Sequence, residues 1–159
     1  QIYKRLNAIA FDLIREKRTR LASWILDFAL NKQKASVPDS LLKMMTVNLA
    51  NALKKAGEAG RASEVIDGTD WTATADAFQI CVASLREDIP EVLRLMPRVH
   101  AANSVTVGDF HDWPVFDWIR SNADVRAEFE ALYGEPLFDR QAIAEAIIHK
   151  DEVEESAKE

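Results

Sequence analysis

Apolar residues recur three and four positions apart along nearly the whole of this 159-residue chain, and no run alternates convincingly with period two. A helix brings every third or fourth side chain to one face, whereas a strand brings every second one. The pattern therefore predicts an all-α fold and leaves no segment for a sheet.

Helix breakers divide the pattern into pairs. A first helix is expected over about Ile2 to Glu16, with Leu6, Ile9, Ala10, Leu13 and Ile14 on one face. A second, about Arg20 to Asn31, carries Leu21, Trp24, Ile25, Phe28 and Ala29, and the two should form an antiparallel hairpin. Ser36-Val-Pro-Asp39 interrupts the periodicity because proline cannot continue a helix, and Asp39 or Ser40 is placed to cap a third helix running to about Ala56. Gly57 and Gly60 bracket a tight turn before a short helix at about Ala62 to Ile66, and Gly68-Thr-Asp-Trp71 breaks the pattern again. Ala73 to Arg86 and Pro90 to Val99 read as the next pair, with Pro90 tolerated in a first turn. His100 to His111 reads as polar and irregular. Pro114 to Ile119 and Ala123 to Tyr133 follow as helices, closed by Gly134 and Pro136, and Leu137 to Lys150 offers one last amphipathic helix. Residues 1–150 thus read as one domain and 151–159 as an acidic tail too polar to order.

Composition narrows the class. Apolar residues make up 48% and charged residues 29% of the chain, the balance of an ordinary globular domain rather than a disordered or fibrous one. A single cysteine, Cys81, set among Phe78, Ile80 and Val82, builds neither a disulfide framework nor a cysteine-rich zinc site, which favours a reducing compartment. No stretch approaches the roughly 18 consecutive apolar residues of a membrane span, and Gln1 to Arg5 lacks a secretory layout. A cytoplasmic location without membrane contact is expected. A start without Met, directly in helical periodicity, points to a piece of something longer, and the expected whole is a larger bacterial-type protein of which this is the C-terminal helical part.

Charge is unevenly distributed. Residues 1–60 hold eleven Lys or Arg against five Asp or Glu, a net +6, while residues 61–159 carry a net −12. The basic half suits an acidic peptide or nucleic acid, and the acidic half repels or mimics phosphate. A mixed, solvated surface whose halves partly neutralise each other has the same composition.

No constellation reaches the specificity of a catalytic motif, so no enzyme activity, cofactor or metal is expected. His100, His111 and His149 lie far apart, and Asp109-Phe-His-Asp112 reads as a loop with a capping Asp ahead of Pro114 rather than as a ligand set. Cys81 lacks a neighbouring base and reads as a packed small hydrophobe. The four tryptophans, Trp24, Trp71, Trp113 and Trp118, read as architectural, their indole N–H groups able to reach carbonyls. The densest aromatic cluster, Asp112 to Ile119, reads as a capping element at the end of a helical stack, with an exposed docking patch as its alternative.

An internal repeat accompanies the helix pairs. Ile9, Ala10, Leu13, Lys17, Ala22 and Leu26 align at a shift of 40 onto Leu49, Ala50, Leu53, Gly57, Ala62 and Ile66, which preserves the order large, small, large, turn, small, large. A further shift of 31 reaches Ile80, Cys81, Ser84, Asp88, Leu93 and Pro97, where the second helix fits poorly. Over roughly residues 5 to 100 this resembles the tetratricopeptide repeat, with its unit of about 34 residues; an unrelated helical bundle would carry the same periodicity. The resemblance implies antiparallel hairpins stacked as a short right-handed superhelix with C-terminal capping helices. It also implies a concave face, lined by first helices, that receives a peptide or partner helix. On this chain that face would hold Lys4, Asn7, Phe11, Arg15, Val47, Asn51, Lys54, Lys55, Phe78, Val82 and Arg86. Its basic character suits carboxylates. The expected function is a protein-interaction module or scaffold that binds a peptide, a partner helix or a neighbouring domain without catalysis. The alternative is a nucleic-acid-associated helical domain that uses the basic half.

Overall fold

The computed structural model describes residues 1–32, 37–139, 143 and 146. Among them the chain forms eight α-helices: α1 (Ile2–Arg15), α2 (Thr19–Asn31), α3 (Asp39–Lys55), α4 (Ala59–Asp67), α5 (Asp76–Arg86), α6 (Ile89–Ala101), α7 (Val107–Asp112) and α8 (Ala123–Tyr133). A short 3₁₀ segment, Pro114–Trp118, lies between α7 and α8, and no strand occurs among the described residues.

The helices pack as successive antiparallel pairs. Within the pairs α1 lies on α2, α3 on α4 and α5 on α6, while the first helices α1, α3 and α5 also touch in succession. One turn geometry recurs. In each tight turn the amide of a positive-φ residue reaches the carbonyl three residues back and the next amide the carbonyl five residues back, closing a Schellman motif. Lys17 and Arg18 donate to Ile14 and Leu13; Gly57 and Glu58 to Lys54 and Leu53; Glu87 and Asp88 to Ser84 and Ala83; Asn103 and Ser104 to His100 and Val99. The pivots are Lys17 (φ 61°), Gly57 (87°), Glu87 (53°) and Asn103 (48°).

These pivots correct the register of the third unit. Gly57 maps onto Glu87, a shift of 30 rather than 31, so Ala50, Leu53, Ala62 and Ile66 correspond to Ile80, Ala83, Val92 and Met96, all buried. At a shift of 31 the matching positions would be Asp88, Leu93 and Pro97. Asp88 instead caps α6 by accepting the Glu91 amide at 3.2 Å, and Pro97 is an exposed residue inside α6. Small residues at the crossings, Ala10 and Ala22 in the first pair and Ala50 and Ala62 in the second, are fully or nearly fully buried and let the backbones approach.

Several boundaries differ from expectation. His100 to His111 is irregular only over 102–106, because α6 runs on to Ala101 and a capping box starts α7: Thr106 accepts the Asp109 amide and the Asp109 carboxylate accepts the Thr106 amide. Neither Asp39 nor Ser40 caps α3, whose entry residue is Pro38. Leu137 to Asp139 is non-helical, and most of the helix expected to Lys150, together with the tail 151–159, lies outside the described residues. Ile9, expected on the buried face of α1, is exposed.

Candidate partner-binding surfaces

Three of the residues expected on the basic face, Asn51, Lys54 and Lys55, come together around one ring, the Trp118 indole. Trp118 Nε1 donates to Asn51 Oδ1 at 2.9 Å. Lys54 Nζ stands 4.1 Å and Lys55 Nζ 5.3 Å from the ring centroid, a cation–π arrangement. Lys54 also donates to the Leu85 carbonyl and to Glu87 Oε1, both at 2.6 Å, and Lys55 pairs with Asp117. The 3₁₀ segment packs on both α3 and α5, where Ser84 Oγ donates to the Val115 carbonyl at 2.6 Å and Pro114, Val115 and Phe116 are buried. The aromatic run 112–119 therefore covers the α3–α5 face as an internal element.

The remaining residues of that expected face are dispersed. Arg86 reaches out to Asp67 at 2.6 Å. Asn7 is buried and accepts from Asn48 Nδ2 at 2.9 Å, which ties α1 to α3. Phe11 and Phe78 are half-buried, Lys4 and Arg15 are exposed on α1, and Val47 and Val82 are in the core. A groove of about 290 Å³ between α3, α4 and α5 carries Lys54, Asp67 and Arg86 at its polar positions.

A second surface was not anticipated. On α2 the side chains of Ala22, Ser23, Leu26 and Ala29 are buried, so the interleaved stripe Leu21, Trp24 and Phe28 turns outward. Trp24 is 65% and Phe28 53% exposed, and their rings stack with centroids 6.0 Å apart. Trp24 is thus not architectural, unlike Trp71, whose Nε1 donates to the Ile66 carbonyl at 2.8 Å. On α1, Ile2 and Ile9 are exposed as well. Tyr3 donates to the Lys32 carbonyl at 3.2 Å, which places the start of α1 beside the end of α2. A shallow cleft of about 480 Å³ opens at the other end of this hairpin, lined by Lys17, Arg18, Arg20, Leu21 and Lys55. The signal was present in the sequence as an apolar pattern on nearly the full circumference of α2, more than one packed face can absorb.

Among the described residues the interior holds few reactive groups. Cys81 is buried, and loss of solvation pushes its thiol up to about 12. His111 is buried with Nε2 3.2 Å from the Pro136 carbonyl and Nδ1 without a hydrogen-bond partner among the described residues, 4.0 Å from a Glu135 oxygen. Buried Arg120 donates to the carbonyls of Phe110 and Trp113 at 2.8 and 2.7 Å and pairs with Asp117. Among the described residues no group of three or more His, Cys, Asp or Glu could hold a metal ion, and no helix is long and apolar enough to cross a membrane. What these elements define is a class, an all-helical stack of paired helices with two distinct polar–apolar surfaces. No family model, curated protein or solved structure matches the chain.

Proposed function

We propose that this chain is a protein–protein interaction module that engages its partner through the outer face of the α1–α2 hairpin. The observation behind the reading is the exposed Trp24–Phe28 stack, continued along α2 by exposed Leu21, while Ile2 and Ile9 are exposed on α1 of the same hairpin. Clustered, solvent-facing large apolar groups on one hairpin lower the free energy when a partner covers them, and aromatic anchors dominate binding energetics. The α3–α5 part of the basic face is a poorer landing site, since Lys54, Lys55 and Arg86 already meet Glu87, Asp117 and Asp67.

A photo-crosslinking side chain placed at position 28 tests the reading, with the same group at exposed Ala127 on α8 as control. A discrete protein adduct is expected from position 28, lost in the Trp24→Ala background and absent from position 127. Adducts that ignore Trp24→Ala, or none at all, would overturn it.

A further inference from the structure

We infer that the occupant of the α1–α2 face is an acidic amphipathic helix; the inference rests on the interaction-module reading and adds the partner's chemistry.

Leu21, Trp24 and Phe28 stand at i, i+3 and i+7, a ridge about 10 Å long over two helical turns. A helix offers no free backbone edge to an extended peptide, so α2 is read through side chains, and a ridge at this spacing packs against the groove of another helix. The sign of the partner follows from the charge of the hairpin and of the cleft at the ridge's start. Residues 1–32 carry seven Lys or Arg against three Asp or Glu. The ridge begins at the cleft where Leu21 lies among Lys17, Arg18 and Arg20; Lys55 lines the same cleft but is held by Asp117, and Arg18 has only the exposed Glu16 at 3.9 Å. Asp27, the one carboxylate on α2, accepts from Asn31 at 3.3 Å and lies close enough to Arg61 to act on its charge. A symmetric second copy would set two basic hairpins against each other, which disfavours it. Phosphate chains suit the cations but not the aliphatic Leu21 among them, and the acidic remainder of the chain repels them. A helix with apolar residues at matching spacing and carboxylates around them satisfies both the ridge and the cleft.

Two labelled helical peptides with the same leucine spacing, one with glutamate and one with lysine at the remaining positions, are titrated with the purified chain by fluorescence anisotropy. The glutamate peptide is expected to bind. Its affinity should fall about tenfold or more in Trp24→Ala, an interface anchor loss of ordinary size. It should also fall about tenfold in Arg18→Glu/Arg20→Glu and weaken with added salt, while helical circular dichroism is unchanged. Equal binding of the lysine peptide through Trp24, or binding of neither peptide by a chain whose position-28 crosslinker finds a partner, overturns the inference and leaves the module reading standing. Self-association in sedimentation that disappears in Trp24→Ala makes a second copy the occupant and overturns the inference as well. So does oligonucleotide binding lost in Arg18→Glu/Arg20→Glu but kept in Trp24→Ala. A position-28 crosslinker that finds nothing removes both.

Discussion

The Trp118 indole nitrogen donates to Oδ1 of Asn51 across 67 residues of sequence, and the accepting side chain is only 1% exposed. This bond joins the 3₁₀ segment to the middle of the first-helix row. Trp118→Phe keeps most of the ring but leaves a buried acceptor unpaired, a cost of about 1–3 kcal/mol. It also weakens the ring beneath Lys54. Thermal unfolding should therefore drop by roughly 2–4 °C per kcal/mol for a chain of this size, read by calorimetry. An unchanged midpoint would mean that water reaches Asn51 and that the segment is less firmly seated than its burial indicates.

The repeated turns make a prediction of opposite signs at equivalent positions. Lys17 and Gly57 occupy the same place in two Schellman motifs, with φ of 61° and 87°. A side chain in left-handed backbone costs roughly 1–2 kcal/mol, and the glycine avoids it. Nothing lies within 4 Å of a Cβ built on Gly57, so the penalty there is one of backbone alone. Gly57→Ala should lower the urea midpoint by the equivalent of about 1 kcal/mol, and Lys17→Gly should raise it by a similar or smaller amount. Equal shifts of the same sign would contradict the shared geometry.

How much was legible in the sequence depended on whether one physical cause acted alone. Periodicity alone sets the helices, and the bounds of α8, Ala123 to Tyr133, were readable because Gly134 ends it with φ 76°. The third unit slipped by one residue because glutamate, a poor turn marker, is the pivot at position 87, while Asp88 beside it looks like one and is a cap. Competition between two stripes hid the exposed face of α2: 22, 26 and 29 form as good an apolar row as 21, 24 and 28, and only packing against α1 and α3 chooses. Ion pairs such as Lys55 with Asp117 join residues 62 apart, a separation no local pattern reports.

Alkaline pH should destabilise the chain through one buried and one half-buried group. Desolvation, with a smaller contribution from Asp109, raises the Cys81 thiol from an ordinary 9.0 and the Tyr133 phenol from 10.0, each to about 12. Between the ordinary and the raised values the folded chain holds protons that the unfolded chain has released, so unfolding stability falls as pH rises. The stabilising contribution is whole below about pH 9 and declines toward pH 12. Urea midpoints measured from pH 8 to pH 11 should decrease, with a shallower decrease in Cys81→Ala. At pH 8 the native thiol should resist an aromatic disulfide reagent that labels it at once in denaturant.

The register of α2 is testable with residues two positions apart. Leu26 is fully buried in the packed core, whereas Trp24 and Phe28, on either side of it, are more than half exposed. Leu26→Ala removes buried methylenes and leaves a void, a loss of about 2–5 kcal/mol. Trp24→Ala and Phe28→Ala remove groups that already face water, so each should stay within about 0.5 kcal/mol of the parent in urea unfolding. Exposure also makes Trp24 the indole most open to acrylamide, and Trp24→Phe should remove the red edge of the native emission and most of its quenching. A rotation of α2 that buried the Trp24 ridge would reverse every one of these signs, raising the cost of the aromatic truncations and sparing Leu26. The same measurement thereby decides whether the docking ridge exists in solution before any partner is sought.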